Sequence, residues 1–206
     1  MTHAIAEAQS ALLICDLQND FIDARGAYGR AGQSSPEIVA LPGRIKPFAD
    51  ALRAAGGAIV STHFTLVPGK GGEPLISPHL LALRPFLRKG DFMPGEWGHA
   101  LVDLLAPADF SVEKIAYSAF YMSRLEWVLR KAGIAKLYVC GIVTNGGVAS
   151  TVRDAHVREF HCTVIEDGCA AFSNDVHQAA IAGLLPVAAI TTITEAVQVF
   201  TQAAKA

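Results

Sequence analysis

The most informative stretch of this 206-residue sequence is Lys136-Leu-Tyr-Val-Cys-Gly-Ile-Val-Thr-Asn-Gly-Gly147. Its first five residues form a short apolar run of the kind found in buried strands. Glycines follow, and a helical pattern extends over about 146–159. A buried strand that leads through a glycine turn directly into a helix is typical of an α/β protein with a parallel sheet.

Five further apolar runs share this character, and longer amphipathic stretches separate them. The predicted strands are 11–15, 58–63, 110–114, 136–140, 162–166 and 187–191, and the other predicted helices are 41–55, 123–132, 174–185 and 194–204. Strands that are apolar along their whole length indicate a parallel sheet covered on both faces. With right-handed crossovers, this pattern predicts a three-layer α/β/α sandwich of the Rossmann type.

Residues suited to acid/base chemistry or anion binding follow the first, third and fourth predicted strands. They are Asp16, Lys114 and the turn 141–147, which opens a helix. Ligands of open parallel sheets bind beyond the carboxyl ends of the strands, where the strand order reverses. We expect these three ends to converge there, which predicts a six-stranded parallel sheet in the order 3-2-1-4-5-6. A carboxylate, an ammonium group and the N–H groups of a helix start then share one crevice, as acid/base chemistry with an anion site requires.

The segment 65–98 interrupts the alternation of strands and helices. It is rich in glycine and proline and shows little periodicity. A loop of this length inside a domain is usually functional, so we expect a lid or a wall of the substrate site. No linker, internal repeat or low-complexity tract is evident, and we expect a single domain over residues 1–206.

Composition narrows the classes of function. The chain is 51% hydrophobic and 17% charged with a net charge of −2, which offers no basic field for nucleic acid. The apolar runs are too short to span a bilayer, and the N-terminus carries no secretory signal pattern. The four cysteines lack metal-type spacing and are expected to be buried, reduced thiols, which predicts a cytoplasmic location. The low charge predicts a homo-oligomer, a dimer or tetramer, with part of 65–98 in its interface.

Three motifs together carry a resemblance to a known family. They are Asp16-Leu-Gln-Asn-Asp-Phe21, Glu113-Lys-Ile-Ala-Tyr-Ser-Ala-Phe120 and Gly141-Ile-Val-Thr-Asn-Gly-Gly147 with the helix that follows it. In this order they resemble the signature of the isochorismatase-like (cysteine hydrolase) superfamily. The resemblance implies an Asp general acid/base, a Lys that supports it electrostatically and a Cys nucleophile that attacks amides. It also implies a cis peptide bond before Thr144.

Gly147 departs from this pattern, because it stands at the position of the family's cysteine. The true isochorismatases also lack the cysteine, and the resemblance implies that their Asp protonates a vinyl ether that water then attacks. The stretch 117–125 and the pair Trp97-Gly98 are more similar to that branch than to nicotinamidases. No cofactor is expected, and no metal site is evident, since His63 has no Asp-x-His partner nearby.

We therefore predict a hydrolase of a small, carboxylated metabolite, with Asp16, Lys114 and Gly147 as catalytic residues and a backbone anion or oxyanion site near Gly147. An adjacent ammonium group lowers the pKa of a carboxyl and burial raises it, and the sequence leaves open which effect is larger. The predicted substrate-binding residues are Gln18, Phe21, His63, Trp97, Tyr117, Phe120, Val143, Thr144, Asn145 and Gly146. Two alternatives stay open: an amide or imide hydrolase that uses Asp16-activated water, and a catalytically silent small-molecule-binding or scaffold protein.

Overall fold

The sheet is the framework on which the site is built. A computed structural model of the protein describes residues 9–203. It contains a parallel sheet with the strand order 3-2-1-4-5-6, which confirms the predicted order. The strands are β1 (Ser10–Cys15), β2 (Ala58–Phe64), β3 (Phe110–Lys114), β4 (Lys136–Ile142), β5 (His161–Ala170) and β6 (Ala189–Thr191).

Helices cover both faces of the sheet. They are α1 (Asn19–Ile22), α2 (Ala27–Arg30), α3 (Pro36–Ala54), α4 (Pro78–Leu83), α5 (Leu125–Lys131), α6 (Ala149–Val157), α7 (Asn174–Ala182) and α8 (Ile193–Ala203). A 3-10 turn spans Trp97–His99, and one π-helical turn, Thr144–Val148, precedes α6. Over the described range 9–203, no helix combines the length and the apolar character that a bilayer crossing requires.

The two faces of β1 belong to two separate cores. Leu13 and Cys15 pack with apolar residues of α5 and α6, whereas Leu12 and Ile14 pack with those of α3 and α8. Successive side chains of a strand point to opposite faces, so a strand buried on both faces must be apolar at every position. The continuous apolar run of the sequence therefore reflects the confirmed three-layer sandwich.

The two predicted boundaries that differ most from the structure, by four and five residues, were wrong for identifiable reasons. Helix α3 begins at Pro36, five residues before the predicted start, because proline is well accommodated in the first turn of a helix. Strand β5 extends from His161 to Ala170 and not only over 162–166. A register shift between Val139 and Gly141 of β4 lets the last residues of β5 pair again with that strand.

The segment between β2 and β3 is held against the sheet by Asp20 and Phe92. One carboxylate oxygen of Asp20 accepts the N–H of Ala27 (2.9 Å) and the other accepts the N–H of Phe92 (2.7 Å). The Phe92 ring is fully buried and lies 4.6 Å from the Phe21 ring and 5.2 Å from the Phe64 ring, centroid to centroid. These contacts fix the part of the segment that follows α4, and α4 itself lies near the carboxyl ends of β1 and β3.

Candidate active site

Asp16 and Lys114 form a buried ion pair at the carboxyl ends of β1 and β3. The Lys114 Nζ atom lies 2.7 Å from Asp16 Oδ2, and the two residues are only 3% and 4% exposed. Strand β2 separates β1 from β3, so the long lysine side chain reaches across one strand to make this contact. Asp16 has a φ of +58°, in the left-handed region that Asp tolerates better than most residues. The predicted pairing of these two residues is present in the structure.

Each polar atom of the pair has a defined partner. The Thr62 hydroxyl donates to Asp16 Oδ1 at 3.1 Å. Lys114 Nζ also donates to the carbonyl oxygens of Ala116 (2.9 Å) and Tyr117 (3.3 Å). An ammonium group has three protons, so these contacts and Asp16 use all of them. Lys114 is therefore arranged as a fixed positive charge beside the carboxylate.

Burial decides the protonation tendency of Asp16. Burial raises the pKa of its carboxyl above the ordinary value of 3.8, although Lys114, the Thr62 hydroxyl and, more weakly, His63 act in the opposite direction. The question left open by the sequence is thus answered in favour of burial. A carboxyl with a raised pKa keeps a larger protonated fraction, as a general acid requires.

Gly147 lies directly beside this pair. A Cβ atom built at this position would stand 3.3 Å from Asp16 Oδ2 and 3.7 Å from Lys114 Nζ. It would also stand 2.9 Å from the carbonyl oxygen of Ile142, which is too close for an unstrained contact. Position 147 therefore faces the Asp16–Lys114 pair, and its backbone is packed for a residue without a side chain.

The turn before α6 has fewer free donors than the sequence suggested. The N–H groups of Gly146 and Val148 already donate to the Val143 carbonyl oxygen, at 3.0 and 3.2 Å. Gly147 lines the cavity over Asp16 and Lys114, as Val143 does. The N–H of Gly147 is therefore the remaining candidate donor of this turn. The cis peptide bond joins Ile142 to Val143, so the expectation of a cis bond before Thr144 was wrong by one residue.

A cavity of about 390 Å³ opens over Asp16, Lys114 and Gly147. This volume is at the lower end of the range of small-molecule sites. The residues that line it are Asp16, Phe21, Tyr28, Phe64, Ser77, His79, Leu80, Leu83, Arg84, Lys114, Ile115, Ala116, Tyr117, Ile142, Val143, Gly147 and Phe172. Of the predicted substrate-binding residues, Phe21, Tyr117 and Val143 are among them.

Four predicted substrate-binding residues do not line this cavity. The Gln18 amide is fully buried and bridges backbone groups of Phe64 and His99. His63 donates from Nδ1 to the His99 carbonyl oxygen, Phe120 packs in the core, and Trp97 is exposed under the Arg25 guanidinium. Sequence proximity to the motifs is misleading here, because neighbouring side chains of strands and turns point in different directions.

The turn residues Thr144, Asn145 and Gly146 also lie outside the cavity lining. Thr144 is fully buried, and its hydroxyl hydrogen-bonds the His177 Nδ1 atom at 2.8 Å, which ties the turn to α7. The side chain of Asn145 is exposed, while Gly146 is buried against Tyr117 and Val143. These three residues shape the turn and do not face the pair.

Most of the cavity wall was missed by the sequence analysis. Arg84, Ser77, Leu80 and Leu83 come from α4 and its ends, in the segment that was predicted to be a wall without named residues. Tyr28 and Phe172 lie in sequence stretches without any catalytic motif. The one available signal for these wall residues was Arg84, a single arginine in the leucine-rich stretch 80–87.

The cysteines provide no substitute nucleophile. Cys15, Cys140, Cys162 and Cys169 are free and buried, as predicted. Burial raises the pKa of Cys15 to about 12, with the Asp16 charge acting in the same direction. A thiol with this pKa is protonated at neutral pH and is a poor nucleophile. Among residues 9–203, no group of three or more His, Cys, Asp or Glu residues is arranged to hold a metal ion.

Comparison with known proteins assigns the family. The isochorismatase domain model matches residues 10–196. Ureidoacrylate amidohydrolase RutB of Azorhizobium caulinodans is 31% identical over 175 residues, covering 80% of this chain and 77% of the relative. RutB of Yersinia enterocolitica is 33% identical over 175 residues, with 80% and 76% covered.

Solved structures share the fold. A cysteine hydrolase from Pseudomonas syringae pv. phaseolicola superimposes with a TM-score of 0.81 at 23% identity, covering 98% of this chain and 100% of that one. For N-carbamoylsarcosine amidase from Thermoplasma acidophilum the TM-score is 0.70 at 24% identity, with 89% and 96% covered. The predicted family is thereby confirmed: the chain belongs to the isochorismatase family and is a hydrolase.

Proposed function

We propose that the protein hydrolyses a small, carboxylated metabolite without a thiol nucleophile. Asp16 serves as the general acid/base, Lys114 holds and orients its carboxyl group, and the N–H of Gly147 stabilises negative charge. The observation that carries this proposal is that Gly147 and both members of the buried pair line one cavity, whose space next to the pair is not filled by a side chain of residue 147. A water molecule or a substrate atom can occupy that space.

The raised pKa of Asp16, caused first by burial, favours an acid-first route. Protonated Asp16 donates its proton to the substrate, for example to the terminal carbon of a vinyl ether. Water then adds to the oxocarbenium ion, and the resulting hemiketal breaks into a carbonyl compound and an alcohol. Asp16 recovers a proton from the attacking water. Positioned proton transfer of this kind contributes about 10²–10⁴-fold to a rate.

A second candidate is the hydrolysis of an amide or ureido bond by water that ionised Asp16 activates. The specific observation in its favour is that the relatives about 30% identical to this chain are named ureidoacrylate amidohydrolases. In this route Asp16 takes a proton from water in the space beside Gly147. Lys114 favours this route, because its charge stabilises the ionised carboxylate.

The two routes are separated by a substrate panel and a pH profile. We would measure kcat/KM for isochorismate, ureidoacrylate and a set of small amides over the acidic to neutral range. In the acid-first route kcat/KM falls as the pH rises through the Asp16 pKa, whereas in the water-activation route it rises. Failure to hydrolyse any member of the panel, combined with retained binding, would favour the silent binding or scaffold role.

The expected homo-oligomer, a dimer or tetramer, stays a prediction. Large apolar side chains of the segment 65–98 are exposed, among them Leu75 (69%) and Leu83 (70%). Exposed apolar side chains on one segment favour coverage by a partner, and a second copy of the chain is the partner that the low net charge suggests.

A further inference from the structure

Arg84 brings a positive charge into the cavity that the hydrolytic pair does not use. It follows α4 directly, lines the cavity and is half-buried. Its Nε atom donates to the Tyr28 hydroxyl at 2.6 Å, and the Tyr117 hydroxyl lies beside the same guanidinium. Two phenols accept only part of the five N–H donors of an arginine. The group therefore keeps donors for a further acceptor.

The positive charge of Arg84 has no counterion in the described protein. Among residues 9–201, whose side chains the structure describes, no carboxylate lies within 4.0 Å of the guanidinium. The carboxylate of Asp16, which lines the same cavity, is already paired with Lys114. A partly buried guanidinium without a protein carboxylate is suited to a ligand carboxylate, which it binds with two parallel hydrogen bonds.

Aromatic rings form much of the remaining wall. Phe21, Tyr28, Phe64, Tyr117 and Phe172 all line the cavity. The rings of Tyr28 and Phe172 are nearly parallel, with an interplanar angle of 9° and centroids 6.0 Å apart. Flat apolar surfaces next to one cationic group favour a planar ligand with one anionic end.

We propose that Arg84, assisted by the hydroxyls of Tyr28 and Tyr117, binds the carboxylate of a planar monocarboxylate substrate. This proposal rests on the proposed function, because it names the substrate class of the same cavity. It defines the orientation of the bound substrate, with the carboxylate at Arg84 and the scissile bond at Asp16 and Gly147. Arg84 is then a specificity-determining residue outside the acid/base pair.

The test is a binding measurement that needs no turnover. Benzoate and its neutral analogue benzamide would be titrated into the full-length protein by calorimetry at neutral pH. We expect wild type to bind benzoate more tightly than benzamide, and Arg84→Gln to weaken benzoate about tenfold to a hundredfold with little change for benzamide. Arg84→Lys should lie between the two, because it retains the charge and loses the fork of donors.

The matched control is Arg88→Gln, which removes an exposed arginine of the same segment that lies outside the cavity lining. It should bind both probes like wild type, and thermal unfolding of all variants reports whether they fold. Equal affinity of wild type for benzoate and benzamide, or unchanged benzoate binding in a folded Arg84→Gln, would overturn the proposal. Arg84-dependent benzoate binding in a protein without hydrolytic activity would instead overturn the proposed function and leave the subsite standing.

Discussion

The strand ends and the segment between β2 and β3 contribute to one cavity in different ways. The strand ends hold Asp16 and Lys114 in a fully partnered buried pair, on backbone that is paired into the sheet. The segment 65–98 contributes Arg84, directly after the exposed short helix α4, with the hydroxyls of Tyr28 and Tyr117 beside it and no carboxylate partner among residues 9–201. In the proposed function the strand ends carry out proton transfer, and the segment 65–98 recognises the substrate. Substitutions in the first should therefore change kcat, and those in the second should change affinity.

The largest expected effect is the loss of turnover in Asp16→Asn. Asparagine tolerates the left-handed backbone of this position and keeps an oxygen acceptor, but it has no transferable proton. We expect kcat/KM to fall about 10²–10⁴-fold. Asp103→Asn, an exposed position, is the matched control and should retain full activity.

Asp16→Asn also leaves the Lys114 ammonium without its counterion, so an unfolded variant would mimic a catalytic defect. The double variant Asp16→Asn, Lys114→Met removes both charges and provides a folded comparison by circular dichroism. Wild-type activity in a folded Asp16→Asn would contradict the assignment of the strand ends to chemistry.

Lys114→Met should produce a pH-dependent loss of stability. Without the ammonium group the pKa of Asp16, already raised by burial, rises further. The carboxyl then ionises more easily in the unfolded chain than in the folded one, so the free energy of unfolding falls as the pH rises from the ordinary value of 3.8 through the raised pKa. Removing one member of a buried pair costs about 3–5 kcal/mol in the free energy of unfolding. The loss relative to wild type should be smallest near the ordinary value of 3.8 and should grow as the pH rises from there.

Urea unfolding of Lys114→Met and wild type across the acidic to neutral range measures this difference. Lys131→Met, an exposed lysine on α5, is the control and should show no such pH dependence. A destabilisation of Lys114→Met that is the same at every pH would show that packing, and not the ion pair, is responsible.

The smallest expected effect concerns Gly147→Cys. The new Cβ meets the Ile142 carbonyl oxygen at 2.9 Å, so we expect a loss of about 1–3 kcal/mol in stability from overpacking. Lys114 and the helix start lower the pKa of the new thiol, and they act against the Asp16 carboxylate, which raises it. We expect iodoacetamide to label it under native conditions, whereas the four buried native cysteines stay unlabelled.

Gly147→Ala is the matched control, since it introduces the same Cβ without the thiol. It should lose the same stability and gain no hydrolysis of small amides, whereas Gly147→Cys should gain some. If Gly147→Ala has the same free energy of unfolding as wild type, or if the thiol of Gly147→Cys is unreactive, position 147 does not face the pair as described.

The sequence by itself was sufficient for the sheet order and for the pairing of Asp16 with Lys114. Continuous apolar strands and glycine turns are local patterns, and parallel strands must end at one edge. The tertiary structure alone decided which residues wall the cavity. Tyr28, Arg84 and Phe172 meet there through contacts between distant segments, while Gln18 and Phe120 turn away into the interior. Only the structure also decided that burial outweighs the ammonium group at Asp16, because desolvation depends on every atom packed around the carboxyl.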